Sequence, residues 1–200
     1  MKSGRHLPLA ILLPALGACN MLISEAPMYV DADRASVAPR NGIWLSPNRG
    51  CDFDSRAAEA TWPDCAMWIL VRNRGAELLL SDGKKQVETL GGFFAAGVPI
   101  IVQTRWIDTA KEPQRAYYGF YGVEPHQIGP DGLFSAASIW VVECGTQANQ
   151  NADIVPFPGI GPDCRPPSKE AIRSAAQKSR RDDAFEEWRW LRAEATANGS

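Results

Sequence analysis

The stretch Ile100-Ile101-Val102-Gln103-Thr104-Arg105-Trp106-Ile107-Asp108 decides the fold class. Ile100, Val102, Thr104 and Trp106 fall on one side of an extended chain, with Gln103 and Arg105 opposite, the period of two expected of a β-strand. Outward from it lie six more segments rich in β-branched and aromatic residues, each bounded by turn residues. Before it come Gly42 to Ser46, Ala66 to Arg72, Glu77 to Leu80, and Gln86 to Leu90 ending at Gly91-Gly92. After it come Arg115 to Val123 and Phe134 to Cys144, where Phe134, Ala136, Trp140 and Val142 read as one face. Ser81-Asp82-Gly83 marks a tight hairpin, because glycine accepts the positive φ such turns demand. About seven strands joined by short turns predict a mainly β fold over residues 41–145, an antiparallel meander closed as a barrel or folded as a sandwich.

The flanks read differently. Residues 146–167 carry Pro156, Pro158, Pro162, Pro166 and Pro167 and predict an irregular segment. Ser168 has the character of an N-cap, and the composition beyond it predicts a C-terminal helix over 168–196. Trp188 and Trp190 would then stand about 200° apart around that helix. On that geometry one ring leaves the core-facing stripe, which makes Trp188 and Trp190 a candidate partner surface.

The 200 residues carry 21 basic and 23 acidic side chains, 45% hydrophobic and 22% charged residues. This composition suits one globular domain with appendages and excludes wholesale disorder. A net charge of −2 gives no basic surface on which nucleic acid would depend.

At the N-terminus Lys2 and Arg5 precede an apolar run, Leu7 to Leu16, too short to span a bilayer. It ends in Leu16-Gly17-Ala18-Cys19. A charged start, a short apolar run and small residues make a signal peptide over residues 1–18. The last four residues resemble the lipobox of bacterial lipoproteins. That resemblance implies that Cys19 becomes the lipidated first residue of the mature chain and that the membrane is a partner through the lipid. Residues 19–40, polar and poorly periodic with Pro27 and Pro39, read as a tether or equally as a segment that pairs a few of its residues with the domain. Asn20 after the cysteine implies the outer membrane, facing the periplasm.

Four cysteines then remain, Cys51, Cys65, Cys144 and Cys164. An even number in an exported chain predicts disulfides, since that compartment is oxidising. A four-cysteine zinc site would require closer spacing within each pair. Of the three possible pairings, Cys51–Cys65 and Cys144–Cys164 close the shortest loops and bracket the stretches poorest in regular structure.

No catalytic constellation, metal site or cofactor motif stands out. His126, in Glu124-Pro125-His126, reads as a loop residue. Asp52, Asp54 and Asp64 read as turn-capping residues beside the cysteines. A hydrolase would draw on carboxylates such as Asp52, Asp54 and Glu143, which nothing in the sequence pairs. Trp44, Trp62, Trp68, Trp106 and Trp140 read as core or as the lining of a cavity, since a barrel of eight strands can hold a small molecule. Gly42-Ile43-Trp44 at the first strand resembles the Gly-x-Trp of lipocalins, whose eight-stranded barrel precedes a C-terminal helix. The resemblance implies that Trp44 closes the barrel floor. Three functions follow as expectations: a non-enzymatic binding or interaction module of the cell envelope, a lipocalin-like carrier of a small apolar ligand, or an envelope hydrolase.

Overall fold

A computed structural model describes residues 20–46, 51–82, 85–108, 113–147, 153–181 and 186–194. Residues 1–19, with the expected signal peptide and Cys19, lie outside the described residues. Twelve strands and one helix are formed among those described: β1 (Ile23–Ser24), β2 (Ala38–Pro39), β3 (Gly42–Leu45), β4 (Met67–Arg72), β5 (Glu77–Asp82), β6 (Lys85–Ala95), β7 (Ile100–Asp108), β8 (Arg115–Ile128), β9 (Leu133–Val141), β10 (Gly145–Thr146), β11 (Val155–Pro156), α1 (Lys169–Ser179) and β12 (Glu186–Arg192).

The seven strands β3 to β9 form an antiparallel meander, each paired with the next in sequence. β12 then lies antiparallel to both β9 and β3 and closes the sheet into an eight-stranded barrel. Closure matters energetically because it removes the two unpaired edges that an open meander would present. The short strands β1 and β2 add to β8 and β9 from outside the ring.

The expected helix over 168–196 is corrected by this arrangement. Ser168 does cap α1, its side chain accepting from the Ala171 amide at 3.2 Å. The helix stops at Ser179, and Glu186–Arg192 is a strand. Successive amides of a strand point alternately to its two neighbours, so β12 pairs with β3 and β9 at once, whereas a continued helix would leave both edges open. Residues along a strand alternate in direction, so Trp188 and Trp190 share a face instead of dividing between two. Trp188 is buried inside the barrel and Trp190 packs against the same cluster, so the split-face partner surface loses its geometric basis.

Three further expectations change. Residues 20–40 are no free tether: Leu22 and Tyr29 are buried, and Leu22 donates to the Val142 carbonyl at 2.9 Å. β6 does not end at Gly91-Gly92 but runs through to Ala95. There the missing side chain of Gly92 admits the Gly75 carbonyl, 2.1 Å from where a Cβ would sit. His126 lies within β8, not in a loop. The 146–167 segment is irregular apart from the two-residue pairing of β10 with β11.

Both disulfides form as expected, Cys51–Cys65 with Cα atoms 5.7 Å apart and Cys144–Cys164 at 5.1 Å. Each closes a segment that packs as an outer layer on the barrel. Ile101, Phe120 and Val142 face outward and are covered by Ile172, Ala175 and Ala176 of α1, by Leu22 and Tyr29, and by Phe157 and Ile160 beside Cys144. On another side Ile43 and Leu70 are covered by Trp62 and Phe53 of the Cys51–Cys65 loop. β7 therefore has apolar contacts on both faces over Ile100 to Val102, which explains why that run is continuously buried.

Candidate functional site: the barrel interior

Inward-facing side chains leave a cavity of about 310 Å³. Its wall comes from alternate residues of successive strands: Met67, Ile69 and Val71 of β4, Leu78 and Leu80 of β5, Val102 and Thr104 of β7, Tyr121 and Val123 of β8, and Ile139 of β9. This is the alternation read for Ile100, Val102 and Thr104 in the sequence. Thr104, only 3% exposed, and Tyr121 are the hydroxyl-bearing residues of a largely apolar lining, and Glu186 stands exposed at the rim. Such a surface suits an apolar body with few polar groups, and the volume falls at the small end of ligand pockets, which run from about 300 Å³ upward.

The two ends of the barrel differ. One is closed by residues 35–40, which cross from β6 to β9. Ala35 donates to the Phe94 carbonyl at 2.9 Å, Ala38 to Gly132 at 3.1 Å and Arg40 to Phe134 at 3.0 Å. Ala35, Val37 and Pro39 thereby cap the cavity beneath Phe94 and Phe134. Trp44 sits at this end, edge-on to Phe134 with ring centroids 5.7 Å apart, its indole donating to the Arg40 carbonyl at 2.8 Å. Trp190 donates to the Asn41 carbonyl at 2.9 Å, with the Arg40 guanidinium 5.6 Å from its ring centre. At the other end Met67 lines the cavity and is 41% exposed, so the opening lies there.

The remaining aromatics divide by layer. Trp62 and Trp68 pack outside the barrel, edge to face at 6.0 Å. Trp140 points outward under α1 and donates to the Ala176 carbonyl at 2.8 Å, satisfying one of the last-turn groups a helix leaves unpaired.

The candidate carboxylates are placed apart. Asp54 accepts from the Arg56 amide at 2.9 Å within the Cys51–Cys65 loop, as a turn-capping residue does, and Asp52 is exposed in the same loop. Glu143 adjoins the other disulfide and pairs with Arg181 at 2.9 Å. His126 Nε2 lies 3.0 Å from Ser138 Oγ on the outer face of the barrel, a contact the loop reading missed. Pro125, which has no amide to give to a ladder, hid the continuation of β8 past Val123.

Comparison of the chain with protein-family models, with curated proteins and with solved structures finds no match.

Proposed function

We propose that this chain is an envelope lipoprotein, anchored through Cys19 and facing the periplasm from the outer membrane, whose barrel carries a small apolar ligand. The observation that carries the reading is the cavity: about 310 Å³, largely apolar in its lining, closed at one end by residues 35–40 and open at Met67. A barrel built only for packing would fill that space with side chains, because protein interiors approach the density of organic crystals. The Gly42-Ile43-Trp44 stretch at the closed end and the lipobox at residues 16–19 support the same reading.

Native mass spectrometry of the full exported chain, purified without organic solvent, tests the carrier role. The expected result is a protein peak with added small-molecule mass that disappears after solvent extraction. A chain that never holds added mass, and that fails to enhance the emission of N-phenylnaphthylamine, would refute it. Intact-mass analysis of membrane fractions tests the anchor. Cys19 should carry diacylglycerol, and Cys19→Ser should leave the membrane fraction.

A further inference from the structure

The first described residue, Asn20, is already fixed to the domain. Its carbonyl accepts from the Cys144 amide at 2.6 Å, and its side chain bonds both the amide and the carbonyl of Gly145. No spacer therefore separates position 19 from the fold. Met21 reaches toward the open end of the barrel, where its sulfur and the Trp106 ring both occupy the space over Gly119. The Trp106 ring stacks with Tyr117 at 6.1 Å, both partly exposed. Ile107 is 44% exposed beside them and Met67 41% exposed across the mouth, while Arg105 and Arg115 are exposed on the same strands. Tryptophan and tyrosine with exposed aliphatic side chains and nearby arginines are the composition favoured at a bilayer interface, where rings sit among headgroups and cations meet anionic lipid.

We infer that the open end of the barrel, where Trp106, Ile107 and Tyr117 stand on the strands beside the Met67 mouth, rests on the lipid bilayer, so that the cavity opens toward the membrane. The inference rests on the lipid anchor at Cys19 and adds an orientation to it. A chain pinned at its first folded residue cannot stand away from the surface, and the apolar rim lies on the side from which Met21 approaches. The ligand then enters from the membrane and not from bulk water.

The test uses the full lipidated chain in vesicles of phosphatidylethanolamine and phosphatidylglycerol, with and without bromine on the acyl chains. Bromine quenches only indoles that reach the acyl region. The expected result is a loss of emission in brominated vesicles, part of which vanishes in Trp106→Phe while circular dichroism is unchanged. If the chain floats with the vesicles but Trp106→Phe leaves the quenching as it was, the orientation is overturned and the anchor stands. If the lipidated chain does not float with vesicles at all, the anchor reading fails and the orientation falls with it.

Discussion

Lys169 at the start of α1 holds Asp33 of the N-terminal segment with its ammonium 2.7 Å from both carboxylate oxygens. The Val30 amide donates to the same carboxylate at 2.9 Å. These hydrogen bonds, the lysine's first, hold the Asp33 carboxyl below its ordinary value of 3.8. A group depressed on folding stabilises above its unfolded pKa and loses that contribution as pH falls through its folded one. The clasp therefore weakens from about pH 4 downward. Asp33→Asn should lower the melting temperature at pH 7 and narrow its difference between pH 7 and pH 3. An unchanged difference would show that other carboxylates set the acid limit.

Tyr29, buried beneath the same clasp, sets an alkaline limit. Burial, foremost, pushes its phenol up to about 12, and the hydroxyl donates to the Lys169 carbonyl at 3.4 Å. A raised folded pKa means that stability present below pH 10 is lost as pH rises toward 12, because only the unfolded chain ionises readily. Thermal melts should fall across that window in the wild type and less so in Tyr29→Phe.

Strand β12 makes a prediction that separates it from a helix. Trp188 is 6% exposed and packs with Val123 and Ala137, so Trp188→Ala should cost about 3–5 kcal/mol by denaturant unfolding. Trp190→Ala should destabilise by less, since that ring is only partly buried. Introducing proline at Arg189, whose backbone pairs with Leu45 and Ala136, should prevent barrel closure. A stable Arg189→Pro would count against the pairing.

The meander was readable because each strand carries its own alternation; β7 shows it within nine residues. β12 was not, although Trp188, Trp190 and Arg192 alternate with Glu187, Arg189 and Leu191. Glutamate, arginine and leucine favour helices, and what decides for a strand is the gap between β3 and β9, a tertiary fact absent from the local sequence. Residues 20–40 hid their role similarly. Leu22 and Tyr29 are buried in one outer layer seven residues apart and Ala38 elsewhere, with exposed residues between, so no periodicity marks them. The pairing of the cysteines was legible from loop length, but the cavity was not, because residue types at alternating positions do not reveal whether the facing walls meet.

The disulfides should differ in accessibility. Cys144 is fully buried in the cluster under α1, whereas Cys51 is partly exposed at the edge of its loop. Mild reductant should open Cys51–Cys65 first, read by thiol alkylation and mass spectrometry. A loop of about 15 residues closed by such a bond contributes roughly 3 kcal/mol in the chain-entropy model, and the paired Cys51→Ala and Cys65→Ala variant should lose about that much. Preferential alkylation of Cys144 would contradict the burial.

Gly42 is fixed by the returning strand. With φ at +126° it adopts a conformation that side chains disfavour, and a Cβ there would fall 2.2 Å from the Arg192 carbonyl of β12. Gly42→Ala should therefore loosen the β3–β12 seam. Its signature would be faster amide exchange along β12 than along β7, with a lower melting temperature. Gly159→Ala is the control for backbone strain alone, since its φ is +90° with open space around it.

The alternation along β7 yields a paired test of the cavity. Ile101 and Val102 are neighbours in sequence and both buried, yet Ile101 packs outward under α1 while Val102 faces the void. Enlarging Ile101 forces a ring into a filled layer, for which overpacking costs about 1–3 kcal/mol. Enlarging Val102 places the ring in space already empty, so Val102→Phe should remain within about 1 kcal/mol of wild type while occupying the site. Titration with N-phenylnaphthylamine should then show at least a tenfold weaker affinity for Val102→Phe and an unchanged affinity for the folded fraction of Ile101→Phe. If Val102→Phe binds the probe as wild type does, the probe sits elsewhere and the barrel interior is not the carrier site.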